Sequence, residues 1–308
     1  VKVECTPKEG TYFRAPTAKS YWISNHCFEF TPAPGQFVNF SQDKTAEDAR
    51  MTIQNTLNNG GGTGWIASLG AWGGYFILGF DHNSSVEGSN RIHFQIGKIS
   101  SRLIGLIDSG YNSYYTNGTK YFNMNHWGNY NYGGWAGCDL RYDVLGSTDV
   151  PPSGYGSTVT TSRVGYNASA TCATTPVANT LMAALPADLR AVMKGVTKYA
   201  DAVGNSSNVA VNVKAFTDYL FLLAEFEVQG IRYYANQYEQ NYQKQYAYYS
   251  SGNSRVMYRH NATGSTAWWW LRSAYYNNNN NFCNVNTDGS ANNNNARNAA
   301  ALAPGFAV

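Results

Sequence analysis

Charge is scarce in this chain. Asp, Glu, Lys and Arg make up 13% of its 308 residues, and 22 basic against 19 acidic side chains leave a net charge of +3. No basic cluster stands out, so the electrostatic footprint of nucleic-acid binding is missing. Long apolar runs are missing too. None approaches the roughly 20 residues that a membrane helix needs, so no membrane insertion is expected. No signal peptide is recognisable, and Val1 as the first residue points to a processed start. Cysteine is sparse and odd in number: Cys5, Cys27, Cys138, Cys172 and Cys283, without a CxxC or a Cys/His pair at zinc spacing. A structural metal is therefore not expected. Buried free thiols are the expected state, with a Cys5–Cys27 bridge as the alternative, and the odd count fits assembly in a reducing cytoplasm. GxSxG, HExxH and P-loop patterns are all absent. No catalytic residue, metal ligand or cofactor is assigned.

What the chain has in quantity is aromatic and small polar surface: 15% aromatics, 24 Tyr and 30 Gly. Such a profile suits a loop-rich protein that uses Tyr and Asn as contact chemistry, as antibody paratopes do. Residues 1–109 read as an N-terminal α+β portion whose function is not legible. It has a strand over Tyr21–Phe30, a turn at Pro32, Pro34 and Gly35, and a helix behind Thr45 carrying Ala46, Ala49, Ile53 and Leu57. Strands broken by glycines follow between Trp65 and Phe80, then a hairpin over Arg91–Ile107 about Ser100-Ser101.

From Gly110 to Tyr155 a long loop packed by its own aromatics is expected, with His126, Trp127 and Trp135 among them. A sugar-binding aromatic platform is the alternative. Asp139, Arg141 and Asp143 read as structural charges, because calcium would want six or more oxygens without a competing guanidinium. Leu181, Leu185, Leu189, Val192, Met193, Val196, Tyr199 and Val203 recur at helical spacing, with Pro186 opening a second piece. Tyr219–Leu223 reads as a short buried strand. Glu225 and Glu227, two apart, would then point to opposite faces, which argues against a glycosidase-like pair. Tyr234–Tyr249 reads as a polar Gln/Tyr helix. No linker interrupts residues 110–308, which are taken as one domain.

The stretch that this domain presents is its C-terminal one. Trp268-Trp269-Trp270-Leu271 is an apolar run, and Phe282 with Val285 and the segment Leu302–Val308 supply two more anchors. Between them lie Asn277–Asn281 and Asn292–Asn295, flanked by Tyr275, Tyr276, Asn284, Arg297 and Asn298. Thr287-Asp288-Gly289-Ser290 is a strong hairpin signal. Apolar anchors on both sides imply a packed frame, so the Asn blocks are expected as exposed loops on a rigid scaffold.

Trp269-Trp270-Leu271-Arg272-Ser273, Val285-Asn286-Thr287-Asp288-Gly289-Ser290 and Leu302-Ala303-Pro304-Gly305-Phe306-Ala307-Val308 resemble the C-terminus of the variable proteins diversified by retroelements in phages and bacteria. Phe122–Gly128 and Gly133–Asp143 extend the likeness upstream, over roughly the last two thirds of the chain. Ala274 stands where relatives usually carry Pro. The resemblance implies a C-type-lectin-like fold of the variant shared with the formylglycine-generating enzyme. It also implies adenine-directed replacement at Asn codons, for which runs of Asn with interspersed Tyr and Arg are what a near-template copy looks like. The fold class is then α+β, with a C-type-lectin-like domain at 110–308 and a variable region at 272–308. The implied ligand-binding surface is Tyr275, Tyr276, Asn277, Asn278, Asn279, Asn280, Asn281, Asn284, Asn292, Asn293, Asn294, Asn295, Arg297 and Asn298. The implied partner is a host or cell-surface protein or glycan, bound from a virion tail or surface or from a bacterial cell surface. A homo-oligomer fits this reading, a trimer if the chain is a tail fibre. Two alternatives stand beside it: an enzyme acting on glycans or peptides, and a structural virion or surface component.

Overall fold

The computed structural model describes residues 13–14, 20–21, 37–38, 74–99, 102–115, 118, 120–147, 175–178, 180–185 and 187–308. It has a mixed α+β topology of short helices and several small sheets. The strand expected over Tyr21–Phe30 lies outside the described residues beyond its first, as do the helix behind Thr45, the stretch Trp65–Trp72, and Cys5, Cys27 and Cys172. In chain order the first strands are β1 (Phe13–Arg14), β2 (Ser20–Tyr21), β3 (Phe37–Val38), β4 (Gly74–Phe80), β5 (Ile92–Ile99) and β6 (Arg102–Gly105), with helix α1 (Ser84–Glu87) between β4 and β5. Helices α2 (Leu181–Ala184) and α3 (Ala187–Val192) precede the paired strands β7 (Val196–Asp201) and β8 (Val213–Asp218). Helices α4 (Glu225–Gln229) and α5 (Ala247–Ser250) follow. The last strands are β9 (Met257–Arg259), β10 (Ala262–Ala267), β11 (Trp269–Ala274), β12 (Asn281–Val285), β13 (Ala291–Asn295) and β14 (Gly305–Ala307).

The main sheet runs β10-β9-β6-β5-β4-β3, and β14 joins it beside β5. It lies between two apolar clusters, which explains why β4 is apolar without alternation. Phe76 and Leu78 of β4 enter one cluster and Ile77 the other. The Trp run of β11 obeys the same rule: Trp268 and Trp270 pack on one side, Trp269 and Leu271 on the opposite side. Consecutive strand residues face opposite ways, so the run is the signature of a strand buried on both faces. Phe306 of β14 stacks on Phe94 at 5.2 Å between ring centroids. The hairpin expected over Arg91–Ile107 is present as β5–β6. Because β5 and β6 pair with β14 and β9, this sheet is continuous across residue 109, where the sequence reading placed a boundary.

Three expected elements differ. The helical pattern ends at α3, and Val196–Asp201 is a strand, because the real burial there alternates: Val196, Lys198 and Ala200 inward, Thr197 and Tyr199 half-buried. Tyr219–Leu223 is a buried connection held to the C-terminal strand by a pair of main-chain bonds between Phe221 and Gly305; the strand is β8, just before it. Tyr234–Tyr249 is no single helix but a 3-10 turn at Gln237–Asn241 followed by α5. The amides of Tyr233, Tyr234 and Ala235 donate to the Glu225 carboxylate at 2.9 Å and are not available to a helix.

Candidate functional site

The three-stranded sheet β11-β12-β13 carries the residues that the sequence singled out. Its hairpin pairs Val285 with Ala291 and Asn281 with Asn295, and Gly289 takes the positive φ of 87° that the turn requires. Strand β12 is central, so Phe282, Cys283, Asn284 and Val285 are all buried. Strand β13 is the edge, and each of its residues is half-buried. The block Asn292–Asn295 is therefore strand and not loop. The block Asn277–Asn281 is loop up to Asn280, and Asn281 opens β12: Asn277 and Asn279 face solvent, and Tyr275, Tyr276, Asn278, Asn280 and Asn281 are half-buried. Asn284 and Asn298 are corrections, since both are buried. Asn284 sits mid-strand between β11 and β13, and Asn298 donates to Asn294 Oδ1 at 2.7 Å from beneath the edge.

Loop and edge meet. Asn281 Nδ2 donates to Asn293 Oδ1 at 2.6 Å, and Asn129 Nδ2 donates to Asn295 Oδ1 at 3.1 Å. Asn131 clamps the loop from below, its Nδ2 within 3.3 Å of the carbonyl oxygens of Tyr275, Asn278 and Asn281. Aromatic rings border the assembly. Arg297 lies over Tyr114 at 4.7 Å, Arg232 over Tyr276 at 4.1 Å, and Tyr130 stacks on Tyr132, whose hydroxyl accepts from Asn279. Tyr114 is 62% exposed and Tyr233 50%, so this border offers rings to solvent. Such rings give contact area at little entropic cost. Asn129, Asn131, Tyr130 and Tyr132 were absent from the sequence-based set. Their density in the Asn/Tyr/Gly-rich stretch before Trp135 was the available signal.

Beneath the sheet lies a buried polar network that the sequence reading missed. Arg272 of β11 makes a bidentate pair with Glu227, Nη1 to Oε2 at 2.6 Å and Nη2 to Oε1 at 2.8 Å. Lys198 of β7 donates to Glu227 at 2.9 Å, to Glu87 at 2.6 Å and to the Tyr246 hydroxyl at 2.8 Å. Burial alone would raise Glu227, but Arg272 and Lys198 hold it well below the usual carboxylate range. Burial raises Glu87 to about 7 and lowers His82 to about 3. His82, Glu87 and Glu227 have the spacing of a metal-binding group. The Lys198 ammonium bridges the two carboxylates and both Glu227 oxygens already accept from Arg272, while His82 Nε2 has no hydrogen-bond partner and lies 3.7 Å from Glu87 Oε1.

Further carboxylates act as clips for loops. Glu225, on the first turn of α4 and not on a strand, holds the 233–235 backbone. Asp201 accepts from the amides of Val203 and Gly204, and Asp108 from those of Gly110 and Phe122. Asp139 accepts from His126 N, Arg141 reaches Asp218, and Asp143 holds His126 and Lys120, structural roles for all three. Cys138 and Cys283 are free, buried thiols, each raised by burial. No helix among the described residues is long and apolar enough to cross a membrane.

No curated protein and no solved structure matches the chain. A family model does match, described as a domain of unknown function (DUF6273), over residues 112–308. That span is well over half of the chain and contains the Asn loop, the edge strand and most of the network beneath them. The chain belongs to the DUF6273 family.

Proposed function

We propose that this chain is a ligand-binding protein whose diversified surface is the 275–281 loop, the β13 edge and Arg297, carried on a C-type-lectin-like frame. The observation that carries the reading is a division of hydrogen bonds. Side chains of the Lys198–Glu227–Arg272 network bond across the molecule, whereas Asn292 and Asn294 each bond to the amide of the next residue. Residues with local partners can be exchanged without unlinking distant segments, and a diversified surface requires that freedom. The Tyr and Asn chemistry of the rim is that of an adaptable paratope. The ligand class is a host or cell-surface protein or glycan, met from a virion tail or surface or from a bacterial cell surface. The role assigned to the frame is positioning, not catalysis.

Sequencing the gene together with its flanking repeats tests the proposal. The expected result is a near-identical template repeat whose differences fall at adenines of the codons for Tyr275 to Asn281 and Asn292 to Asn298. Differences spread evenly over the gene would remove the diversified-surface reading.

A further inference from the structure

Strand β13 has one paired and one open side. Main-chain bonds Asn286 N to Ser290 O and Ala296 N to Asn280 O fix the ladder at both ends, so even-numbered residues of the strand face β12. The amides of Ala291, Asn293 and Asn295 therefore point away from the sheet, in which β13 is terminal. Two of these amides are answered by the preceding side chain: Asn293 N donates to Asn292 Oδ1 at 2.9 Å, and Asn295 N donates to Asn294 Oδ1 at 2.9 Å. An unguarded strand edge is a template for another strand. Here the guards are two short side chains, and Asn294 Oδ1 also accepts from Asn298 Nδ2 at 2.7 Å, so Asn292 is the more readily displaced of the two.

We infer that the outer edge of β13 is a main-chain docking site for an extended peptide segment of the ligand, with Asn292 and Asn294 as displaceable caps on its donors. The inference rests on the ligand-binding reading and narrows it from glycan or protein to protein. Donors on alternate residues of a strand repeat at about 6.8 Å, the two-residue period of a second strand and not of a sugar chain. A second copy of β13 fits less well. A two-fold pairing about Asn293 needs the outward carbonyl of Asn295, and that oxygen already accepts from Asn298 N at 2.9 Å. A peptide strand is bound by no such symmetry and can pair with the outward amides while leaving the Asn295 carbonyl to Asn298. Exposed Tyr114 and its neighbours at the rim then meet the side chains of the added strand.

The test selects twelve-residue random peptides against the full chain, then synthesises the best binder with each amide N-methylated in turn. Loss of binding by tenfold or more at alternate positions, with nearly unchanged binding at those between, is the expected result. Asn292→Ala/Asn294→Ala should raise peptide affinity up to about tenfold by removing two competing bonds. Asn293→Pro should abolish binding with the fold intact, because an edge strand tolerates Pro where the N–H faces away from the ladder. Failure to recover any peptide, or binders indifferent to N-methylation, would overturn the inference. A dimer of the double alanine variant that excess peptide fails to dissolve would assign the edge to a second copy and overturn it too. None of these outcomes bears on the template-repeat comparison, so the two readings can fail separately.

Discussion

Arg272 and Asn293 sit on outer strands of the same three-stranded sheet, and their surroundings differ in kind. Arg272 is wholly buried and bonds to Glu227, to the Leu222 carbonyl and to the Tyr199 carbonyl, partners 45, 50 and 73 residues away. Asn293 is half-buried; its amide bonds to its own neighbour and its side chain to Asn281, 12 residues back. Both regions are polar. In the first, polarity ties α1, β7, α4 and β11 into one unit, and each group depends on all the others. In the second, polarity is satisfied largely within a loop and a hairpin, apart from bonds such as Asn129 to Asn295 and Asn279 to Tyr132. Range of partnership, more than burial of apolar area, separates the part of the sheet that is fixed from the part that can vary.

The contrast breaks first at the network. Glu227→Gln leaves the Lys198 and Arg272 charges without their shared counter-ion, and losing one member of a buried ion pair costs about 3–5 kcal/mol. Urea unfolding should register a loss of that size, comparable with Trp270→Ala, which empties a filled site and removes the indole bond to the Phe122 carbonyl. A loss below about 1 kcal/mol for Glu227→Gln would mean that the network is solvated and the comparison misplaced.

A second expected effect is carried by pH. Burial pushes Glu239 up to about 7 while it accepts from Ser273 Oγ, from the Asp201 amide and from Gln243. A folded-state value above the ordinary carboxyl value means that the protonated form favours folding. Its contribution is complete below about pH 4.5 and is lost as pH rises to about 7. The stability of the native chain minus that of Glu239→Gln should therefore fall across that window, by at most about 3 kcal/mol. Parallel pH profiles for the two proteins would place Glu239 in a solvated site.

These effects also show where sequence reasoning reached. The apolar anchors, the 285–291 hairpin and the β5–β6 hairpin were legible because each is local: a run of side chains, an Asp-Gly turn, two alternating strands. The network was not, since it reaches from Glu87 to Arg272 and its directly bonded pairs lie up to 111 residues apart in the chain. A faint signal existed in Arg272, a lone cation inside a strand whose other residues are apolar or small, and in Lys198, the one cation of β7. The helix expected through Val203 failed because Tyr199 and Val203 matched a 3.6-residue stripe by coincidence, while pairing with β8 decided the structure. Asn284 and Asn298 were misplaced for another reason. Residue type suggested surface, and only the register of β12 shows that its central position is covered on both sides.

Asn131 sharpens the comparison from the middle, being a frame residue that touches the 275–281 loop. Asn131→Ala removes bonds to three loop carbonyls and one from the Asn205 amide. A loss of about 1–3 kcal/mol is expected. The distinguishing readout is hydrogen exchange. Amides of 275–281 should exchange faster, while those of β11, whose strand is held by the network, should keep their protection. Uniform loss of protection across β11 to β13 would make loop and frame one cooperative unit.

The smallest effect is expected where the diversified reading needs it. Asn277 and Asn279 are exposed, and Asn280 is half-buried beside them in the same loop. The side-chain partner of Asn279 is another loop hydroxyl, that of Tyr132. Replacing all three by Tyr, Ser, Asp or His should move stability by no more than about 0.5 kcal/mol per site, because the bond they give up to another segment, Asn279 to Tyr132, is exposed. Asn278 is left in place, since its Oδ1 accepts from the amides of Asn280 and Asn281 and shapes the turn. The matched control is Asn284→Tyr, the same exchange at a buried position of the same sheet. There the ring must be forced into the packed layer that holds Phe282, on the same face of the sheet, and overpacking of this kind costs about 1–3 kcal/mol or more. A thermal-shift series comparing the triple variants with Asn284→Tyr decides the matter. If the triple variants melt as far below the parent as Asn284→Tyr does, the first Asn block is holding the loop in place, and the freedom assigned to locally bonded residues is not there.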